Sequence, residues 1–280
     1  MTSLAPLPVP TAELGEGPCW DAADGTLYWV DVPPGRVHAL DADGRLRSWE
    51  AGQPVGAVAL RAGGGLVLAA ADGFLTLDTG TGEVARLARV DHGPAVRMND
   101  GACDRAGRFY AGSMAADESP GLGALYRLDP DHRLTRLITG IGISNGIGWS
   151  PDDRQMYYVD SLDHRLDVLD YDPATGEVGE RRTEADIGGG SVVPDGLTVD
   201  ADGGIWVAVW GGGGVHRFTP DGALTAPVEV PATYVTCPTF GGEGLATMYI
   251  TTAAGPGDGA GRLFACRPGV TGQPTHPYRG

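Results

Sequence analysis

The chain has 280 residues, 42% of them hydrophobic, and its 36 acidic residues against 20 basic ones give a net charge of −16. This acidity argues against a nucleic-acid partner, and the absence of any apolar run near ~18 residues argues against a membrane span. Every basic residue is arginine, which excludes mechanisms that need a lysine base or a lysine Schiff base.

A repeated pair of strands runs through the chain. In each copy, a segment rich in aromatic and β-branched residues follows an Asp- and Gly-rich turn and precedes a partner strand. The first members are predicted at residues 27–31, 66–70, 108–112, 155–160, 204–208 and 246–251, and their partners at 36–40, 74–77, 124–128, 166–169, 215–218 and 262–265. Successive copies start 39 to 49 residues apart, which is typical of β-propeller blades. The six copies predict an all-β, six-bladed β-propeller that forms one domain over residues 1–280.

One polar position recurs ahead of four of these strand pairs. It is occupied by Glu16, Asn99, Asn145 and Asp195, each five residues before a polar residue that begins a turn. If the repeats surround an axis, equivalent positions converge on it, and four oxygen-bearing side chains there predict a central channel that binds a hard cation. Asn-Gly and Asp-Gly also form ordinary turns, but four occurrences in register favour the cation site.

Glu16, Asn145 and Asp195 are the predicted metal ligands. Two carboxylates and one amide oxygen, completed by water, suit Ca²⁺, Mg²⁺, Mn²⁺ or Zn²⁺. The four positions contain neither His nor Cys, which favours cations that prefer oxygen. A cation beside a carboxylate suits hydrolysis of an activated ester, with Asp195 as general base or as the ligand that positions hydroxide.

Arg97 lies two residues before Asn99, and strand alternation predicts that both side chains face the same side. The guanidinium is therefore predicted to hold a substrate carboxylate or hydroxyl, or to stabilise an oxyanion. A surface arginine paired with Asp91 or Asp100 is an equally good interpretation of its position.

Ser144 stands in a Gly-x-Ser-x-Gly pattern over residues 142–146, which is typical of some serine hydrolases. That pattern requires a helix after the serine, whereas a strand is predicted here. The histidines His164, His216 and His276 are better explained as turn, strand and tail residues. We therefore expect no catalytic triad.

The four cysteines show neither the spacing of a zinc ribbon nor a Cys-x-x-Cys redox pair, and we expect buried free thiols at Cys19, Cys103, Cys237 and Cys266. The first ten residues lack the basic start and apolar run of a signal peptide. Both features predict a cytoplasmic location.

Short motifs in order along the chain carry a family resemblance. They are Gly15-Glu-Gly-Pro18, Arg97-Met-Asn-Asp-Gly101, Gly107-Arg-Phe-Tyr-Ala-Gly-Ser-Met114, Gly123-Ala-Leu-Tyr126, Ser144-Asn-Gly-Ile147, Pro194-Asp-Gly196, Cys237-Pro-Thr-Phe-Gly-Gly242 and Met248-Tyr-Ile-Thr-Thr252. Through them the chain resembles the SMP-30/gluconolactonase/LRE family. The resemblance implies a six-bladed propeller whose activity is hydrolysis of an aldonolactone to the sugar acid.

The resemblance also implies roles for individual residues. One divalent cation (Ca, Zn, Mn, Mg or Fe) would be bound near the central channel by Glu16, Asn145 and Asp195, with Asp195 as the catalytic base. Arg97 and Asn99 would contact the substrate. The family often has a further acidic substrate-binding residue shortly before Gly-Ala-Leu-Tyr, and Glu118 is the candidate in the shorter segment found here.

The leading hypothesis is a metal-dependent sugar lactonase acting on a gluconolactone-, xylonolactone- or arabinolactone-like substrate. The second is a calcium-binding or scaffold propeller without catalysis. A metal-dependent esterase or phosphotriesterase ranks last, because the richer ligand set of such enzymes is missing. We expect a monomer or weak homo-oligomer whose partner is a small sugar lactone.

Overall fold

The computed structural model describes residues 4–93, 95–225 and 227–280, so the first three residues of the N-terminal segment lie outside the described residues. The described strands form six four-stranded antiparallel sheets, which confirms the predicted six-bladed β-propeller. Each sheet is a blade, numbered in chain order, and the strand nearest the axis is its innermost strand.

The first three blades are each built from four consecutive strands. Blade 1 contains Gly15–Asp21, Thr26–Asp31, Arg36–Leu40 and Leu46–Glu50. Blade 2 contains Val55–Leu60, Leu66–Ala70, Gly73–Leu77 and Val84–Arg89. Blade 3 contains Val96–Cys103, Phe109–Ala115, Gly123–Leu128 and Leu134–Ile141.

Blades 4 and 5 repeat this arrangement, whereas blade 6 takes one strand from the other end of the chain. Blade 4 contains Ser144–Trp149, Gln155–Asp160, Arg165–Tyr171 and Val178–Asp186. Blade 5 contains Val193–Val199, Ile205–Trp210, Gly214–Phe218 and Val228–Glu229. Blade 6 contains Val235–Gly241, Thr247–Thr252, Phe264–Cys266 and Ala5–Pro6. Two short 3-10 helices cover Ser161–Asp163 and Glu243–Leu245.

The strand Ala5–Pro6 closes the ring. It pairs antiparallel with Phe264–Cys266 and so provides the outer strand of blade 6 from the N-terminal end of the described chain. Closure protects the edges that an open sheet would expose. The sequence predicts the partner strand at 262–265, but in the structure it begins only at Phe264. Arg262 instead closes a turn, since its N–H donates to the carbonyl of Gly259.

The hydrophobic core lies between blades. There are six buried clusters of hydrophobic residues, and each one lies between two neighbouring blades. Strand alternation explains how one blade serves two clusters: in blade 1, Tyr28 and Val30 pack toward blade 2, whereas Leu27 and Trp29 pack toward blade 6. Both faces of each blade are therefore buried, which fixes the blades around the axis.

Each innermost strand has an irregularity at the same place. The register of pairing with the second strand shifts after Glu16, Val55, Met98, Ser144, Pro194 and Val235 in the six blades. A β-bulge bends the strand and redirects its side chains. The repeated bulge is thus the local structure that presents the recurrent polar position to the channel.

Where the innermost strands end, the C-terminal tail crosses the channel. The side-chain amide of Gln273 donates to the carbonyl of Trp149, and the N–H of Arg279 donates to the carbonyl of Gly107. The described residues contain no helix that is long and apolar enough to cross a bilayer.

Candidate metal and substrate site

The recurrent position forms a ring around the channel, here called the first ring. Its six members are Glu16, Val55, Asn99, Asn145, Asp195 and Thr236. The four polar members predicted from the sequence are only 5 to 7% exposed. The bulges therefore gather four oxygen-bearing side chains from four blades into one buried space.

A chain of hydrogen bonds orients the amides of this ring. Arg97 Nη1 donates to Asn99 Oδ1 at 2.7 Å, and Asn99 Nδ2 donates to Asn145 Oδ1 at 3.0 Å. Asn145 Nδ2 in turn donates to the hydroxyl of Ser161 at 2.8 Å, and Ser161 donates to the carbonyl of Pro194 at 2.7 Å. Since its nitrogen is directed to Ser161, Asn145 keeps its oxygen toward the ring, with one lone pair free for a cation.

The two carboxylates of the first ring are buried without an ion-pair partner among the described residues. Glu16 accepts a hydrogen bond from the N–H of Gly17 at 3.0 Å. Burial, and then the charges of Asp195 and Asp100, raise the pKa of Glu16 well above its ordinary value. Burial followed by the charge of Asp100 raises the pKa of Asp195 in the same way.

These carboxylates fit a divalent cation. Three acidic groups, Glu16, Asp195 and Asp100, lie in one buried region. The positive charge that acts on Glu16 and Asp195 there is the guanidinium of Arg97. Buried charges are stable when paired or bound to metal. The excess of negative charge and the oxygen donors thus suit an ion such as Ca²⁺, which Glu16, Asn145 and Asp195 would hold.

Arg97 is directed toward the channel. Burial lowers its pKa, while the charges of Glu16, Glu118 and Asp195 oppose that change. It forms no ion pair with Asp91 or Asp100 in the described structure, so the surface pairing considered from the sequence is not observed. Its Nη1 is used by Asn99 and by the carbonyl of Met98, which leaves the rest of the guanidinium for a ligand.

Glu118 lies on the turn that joins Phe109–Ala115 to Gly123–Leu128. Its N–H donates to the carbonyl of Ala115, and its φ of 61° is in the left-handed region. The side chain is exposed, unlike the first ring, and its charge acts on Arg97.

Ser144 is fully buried, and its hydroxyl accepts a hydrogen bond from Tyr158 at 2.6 Å. The His164 ring contacts the carbonyl of Val192 instead. Within the described residues the serine therefore has no histidine partner, and a strand, Ser144–Trp149, contains it.

The position directly after the first ring contains two residues whose importance the sequence analysis missed. This second ring consists of Gly17, Gly56, Asp100, Gly146, Gly196 and Cys237. Where glycine occurs, neighbouring strands approach closely: a Cβ on Gly56 would lie 2.4 Å from the carbonyl oxygen of Asn99. A comparison of this position across the repeats singles out Asp100 and Cys237, because the other four members are glycine.

Comparison with known proteins identifies relatives of this architecture. The family model described as the SMP-30/Gluconolactonase/LRE-like region matches residues 14–254. Regucalcin from Xenopus laevis is 39% identical over 87% of this chain and 84% of its own length. A solved structure of a calcium-binding protein, regucalcin from Agrobacterium tumefaciens, has a TM-score of 0.94 at 31% identity, covering 100% of this chain and 98% of that one. A gluconolactonase from Xanthomonas campestris has a TM-score of 0.77 at 24% identity, covering 94% and 89%, and shares the fold.

Proposed function

Since the chain belongs to the SMP-30/gluconolactonase/LRE-like family, we propose that it is a metal-dependent lactonase that hydrolyses an aldonolactone to the sugar acid. The gluconolactone, xylonolactone and arabinolactone types are the candidate substrates. The observation that carries the proposal is the convergence of Glu16, Asn145 and Asp195, three oxygen donors, beside the guanidinium of Arg97. A site that only stored a cation would not need that arginine.

Glu16, Asn145 and Asp195 would hold the cation. When bound there, a divalent cation supplies Lewis-acid polarisation of the lactone carbonyl and lowers the pKa of a coordinated water. Asp195 accepts a proton from the attacking water as the water oxygen bonds to the carbonyl carbon. The bond from that carbon to the ring oxygen then breaks, and the ring oxygen takes the proton from Asp195 to become the hydroxyl of the product acid.

Arg97 and Asn99 would bind the substrate. The free nitrogens of the Arg97 guanidinium can donate to the carbonyl or hydroxyl oxygens of the lactone, while Asn99 fixes the guanidinium through its Oδ1. Because Asn99 is buried and Arg97 is partly buried, these hydrogen bonds are stronger than they would be at the surface. The channel mouth therefore suits a small polyhydroxylated ester.

The decisive experiment measures opening of gluconolactone, xylonolactone and arabinolactone with a pH indicator, with and without a chelator. We expect acceleration over spontaneous opening of at least one lactone, its loss with chelator, and its recovery on adding back a divalent cation. Asp195→Ala should abolish the activity while the fold, followed by circular dichroism, is retained. Failure to accelerate any of the three lactones, in cation-loaded protein, would contradict the proposal.

A calcium-binding propeller without catalysis is the second candidate. It is favoured by the calcium-binding description of the Agrobacterium tumefaciens structure. Substitution of Arg97, which donates to Asn99 and Met98 and to none of the three cation ligands, separates the two: a pure cation protein should keep its affinity for Ca²⁺ and lose nothing else. If the wild type binds Ca²⁺ tightly but opens no lactone, this second function is the better one.

Glu118 is proposed to select among lactones by accepting a hydrogen bond from a substrate hydroxyl. Asp117, on the same turn, offers a matched control because its side chain accepts from the N–H of Ser119 within the turn. We expect Glu118→Gln to change the ratio of rates among the three lactones and Asp117→Asn to leave it unchanged.

All four cysteines are free thiols in the structure, which supports our proposal of a reducing, cytoplasmic location. We further propose a monomer or weak homo-oligomer, with no nucleic-acid or membrane partner. Size-exclusion chromatography with light scattering tests the proposed oligomeric state.

A further inference from the structure

A second group of ligand atoms lies in the channel next to the first ring. The side chains of Glu16, Asp100 and Cys237 each present one ligand atom, and these atoms all lie within 4.8 Å of one another. Tetrahedral Zn²⁺ with bonds of about 2.0–2.3 Å holds two ligand atoms about 3.3–3.8 Å apart, so a pair at the upper limit would move together by about 1 Å to share one ion. The three side chains are therefore close to a spacing that one ion could join.

Asp100 is a buried carboxylate with an unused oxygen. It is only 6% exposed, and one oxygen accepts a hydrogen bond from the N–H of Gly101 at 2.7 Å. The other accepts none from the described residues, and no arginine pairs with the side chain there. A carboxylate that lines a cavity and has an oxygen without a protein donor can bind a cation there.

The thiol of Cys237 is similarly short of partners. It is 6% exposed, and its one contact is a weak donation over 3.8 Å to the carbonyl of Pro238. It packs against Gly196, where a Cβ would lie 2.5 Å from the sulfur. The glycine next to Asp195 thus makes the room in which the thiol sits beside the carboxylates.

A cavity extends from these two side chains toward the C-terminal tail. It has a volume of about 160 Å³, and Asp100 and Cys237 line it together with Thr239 and His276. This space is large enough for several waters, which can complete the coordination of an ion. Neither Glu16 nor Asn145 lines it, so water in this space would reach an ion from the side of Asp100 and Cys237.

We propose that Glu16, Asp100 and Cys237 form a second cation site that takes a thiophilic divalent cation such as Zn²⁺ or Cd²⁺. A thiolate with two carboxylates suits these borderline and soft ions, whereas Ca²⁺ and Mg²⁺ prefer oxygen alone. On binding, the sulfur bonds to the ion and the thiol proton is released to solvent. Because Glu16 belongs to both groups, a thiophilic ion competes with the cation of the first ring.

The test is titration of purified, chelator-treated protein with Cd²⁺, followed by the ultraviolet charge-transfer absorption of a cadmium–thiolate bond. We expect one such band per chain, which Cys237→Ser removes. Asp100→Asn keeps the thiol, and we expect the band to remain while the Cd²⁺ affinity falls on the order of tenfold or more. Cys266→Ser is the control, because this buried thiol lies in the core between blades 5 and 6.

Two further readouts make the outcome unambiguous. Proton release on Cd²⁺ binding should be larger in the wild type than in Cys237→Ser, because the variant has no thiol proton to lose. Excess Ca²⁺ should raise the apparent dissociation constant for Cd²⁺. The proposal is overturned if Cd²⁺ binds without a thiolate band, or if the band survives in Cys237→Ser and is removed by Cys19→Ser or Cys103→Ser. None of these readouts depends on lactonase activity.

Discussion

The side-chain nitrogen of Asn99 donates a hydrogen bond to the side-chain oxygen of Asn145 across 3.0 Å, although the two residues lie 46 positions apart. This contact links blade 3 to blade 4 at the axis. It also connects Arg97, which donates to Asn99, with Ser161, which accepts from Asn145. The orientation of both amides is therefore set by the two ends of the network, and a change at Ser161, which contacts Asn145 directly, should reach the cation site.

Ser161→Ala removes the acceptor that holds the nitrogen of Asn145. The amide then loses its fixed orientation, and we expect the affinity for the divalent cation to fall by about 10- to 100-fold. Calorimetric titration with Ca²⁺ measures this change. Ser150→Ala is the control, because Ser150 follows the strand Ser144–Trp149 at the end away from Asn145 and its hydroxyl donates to Asp152. Equal affinities in both variants would show that Ser161 does not position Asn145.

Arg97→Lys keeps the charge but loses the planar donor that reaches Asn99. For the lactone that the wild type hydrolyses, we expect KM to rise by about 10- to 100-fold, since a hydrogen bond from a charged group contributes about 1.5–3 kcal/mol. Steady-state kinetics give the split between KM and kcat. Arg36→Lys, at an exposed ion pair with Glu50, should have no effect. An unchanged KM in Arg97→Lys would argue against a substrate contact.

Glu16→Gln removes one of the buried carboxylates that repel each other. Without added cation, we expect the variant to unfold at a higher temperature than the wild type. A divalent cation at 100 times its dissociation constant should stabilise the wild type by about 2.7 kcal/mol and the variant much less. Differential scanning calorimetry with and without cation measures both effects. Glu50→Gln, at an exposed carboxylate, should behave like the wild type; a full cation response in Glu16→Gln would contradict the assignment of this ligand.

Gly56→Ala tests the close approach of the second ring to its neighbour. The new Cβ would lie 2.4 Å from the carbonyl oxygen and 2.6 Å from the Cα of Asn99, so the strand of blade 3 must shift. We expect a loss of about 1–3 kcal/mol in the free energy of unfolding, together with weaker cation binding. Gly63, which has no neighbour within 4 Å, provides the control, and urea unfolding of Gly63→Ala should match the wild type.

His38 should make stability depend on pH. It is buried against Trp29, and burial lowers its pKa below 6.5, with the charge of Asp31 opposing the shift. As pH falls through the ordinary histidine range, the unfolded chain binds the proton before the folded protein does, so stability is lost on acidification. Urea unfolding at pH 7.5 and at pH 5.5, about one unit on either side of the ordinary histidine pKa, measures this effect. The free energy of unfolding should fall less on acidification in His38→Gln than in the wild type. Equal losses would show that His38 does not contribute.

Much of the strand pattern was predictable because it depends on near neighbours in the chain. Aromatic and β-branched alternation predicted residues 36–40, 66–70 and 155–160 as strands, and the structure has the same bounds. The strand predicted at 108–112 instead runs from Phe109 to Ala115, because its last residues pair with the beginning of Val96–Cys103. Such extensions depend on a partner strand, which a local pattern does not contain.

By itself, the sequence determined the number of blades, the strands within them and the recurrent position of Glu16, Asn99, Asn145 and Asp195, because a repeat makes equivalent residues visible. Only the tertiary structure decided how Ala5–Pro6 closes blade 6 and which residues meet at the axis. It brought Asp100 and Cys237 to Glu16, and Ser161 to Asn145. The physical reason is that bulges and blade packing set these contacts between distant parts of the chain, where the path of the backbone, and not the local pattern, decides which side chains touch.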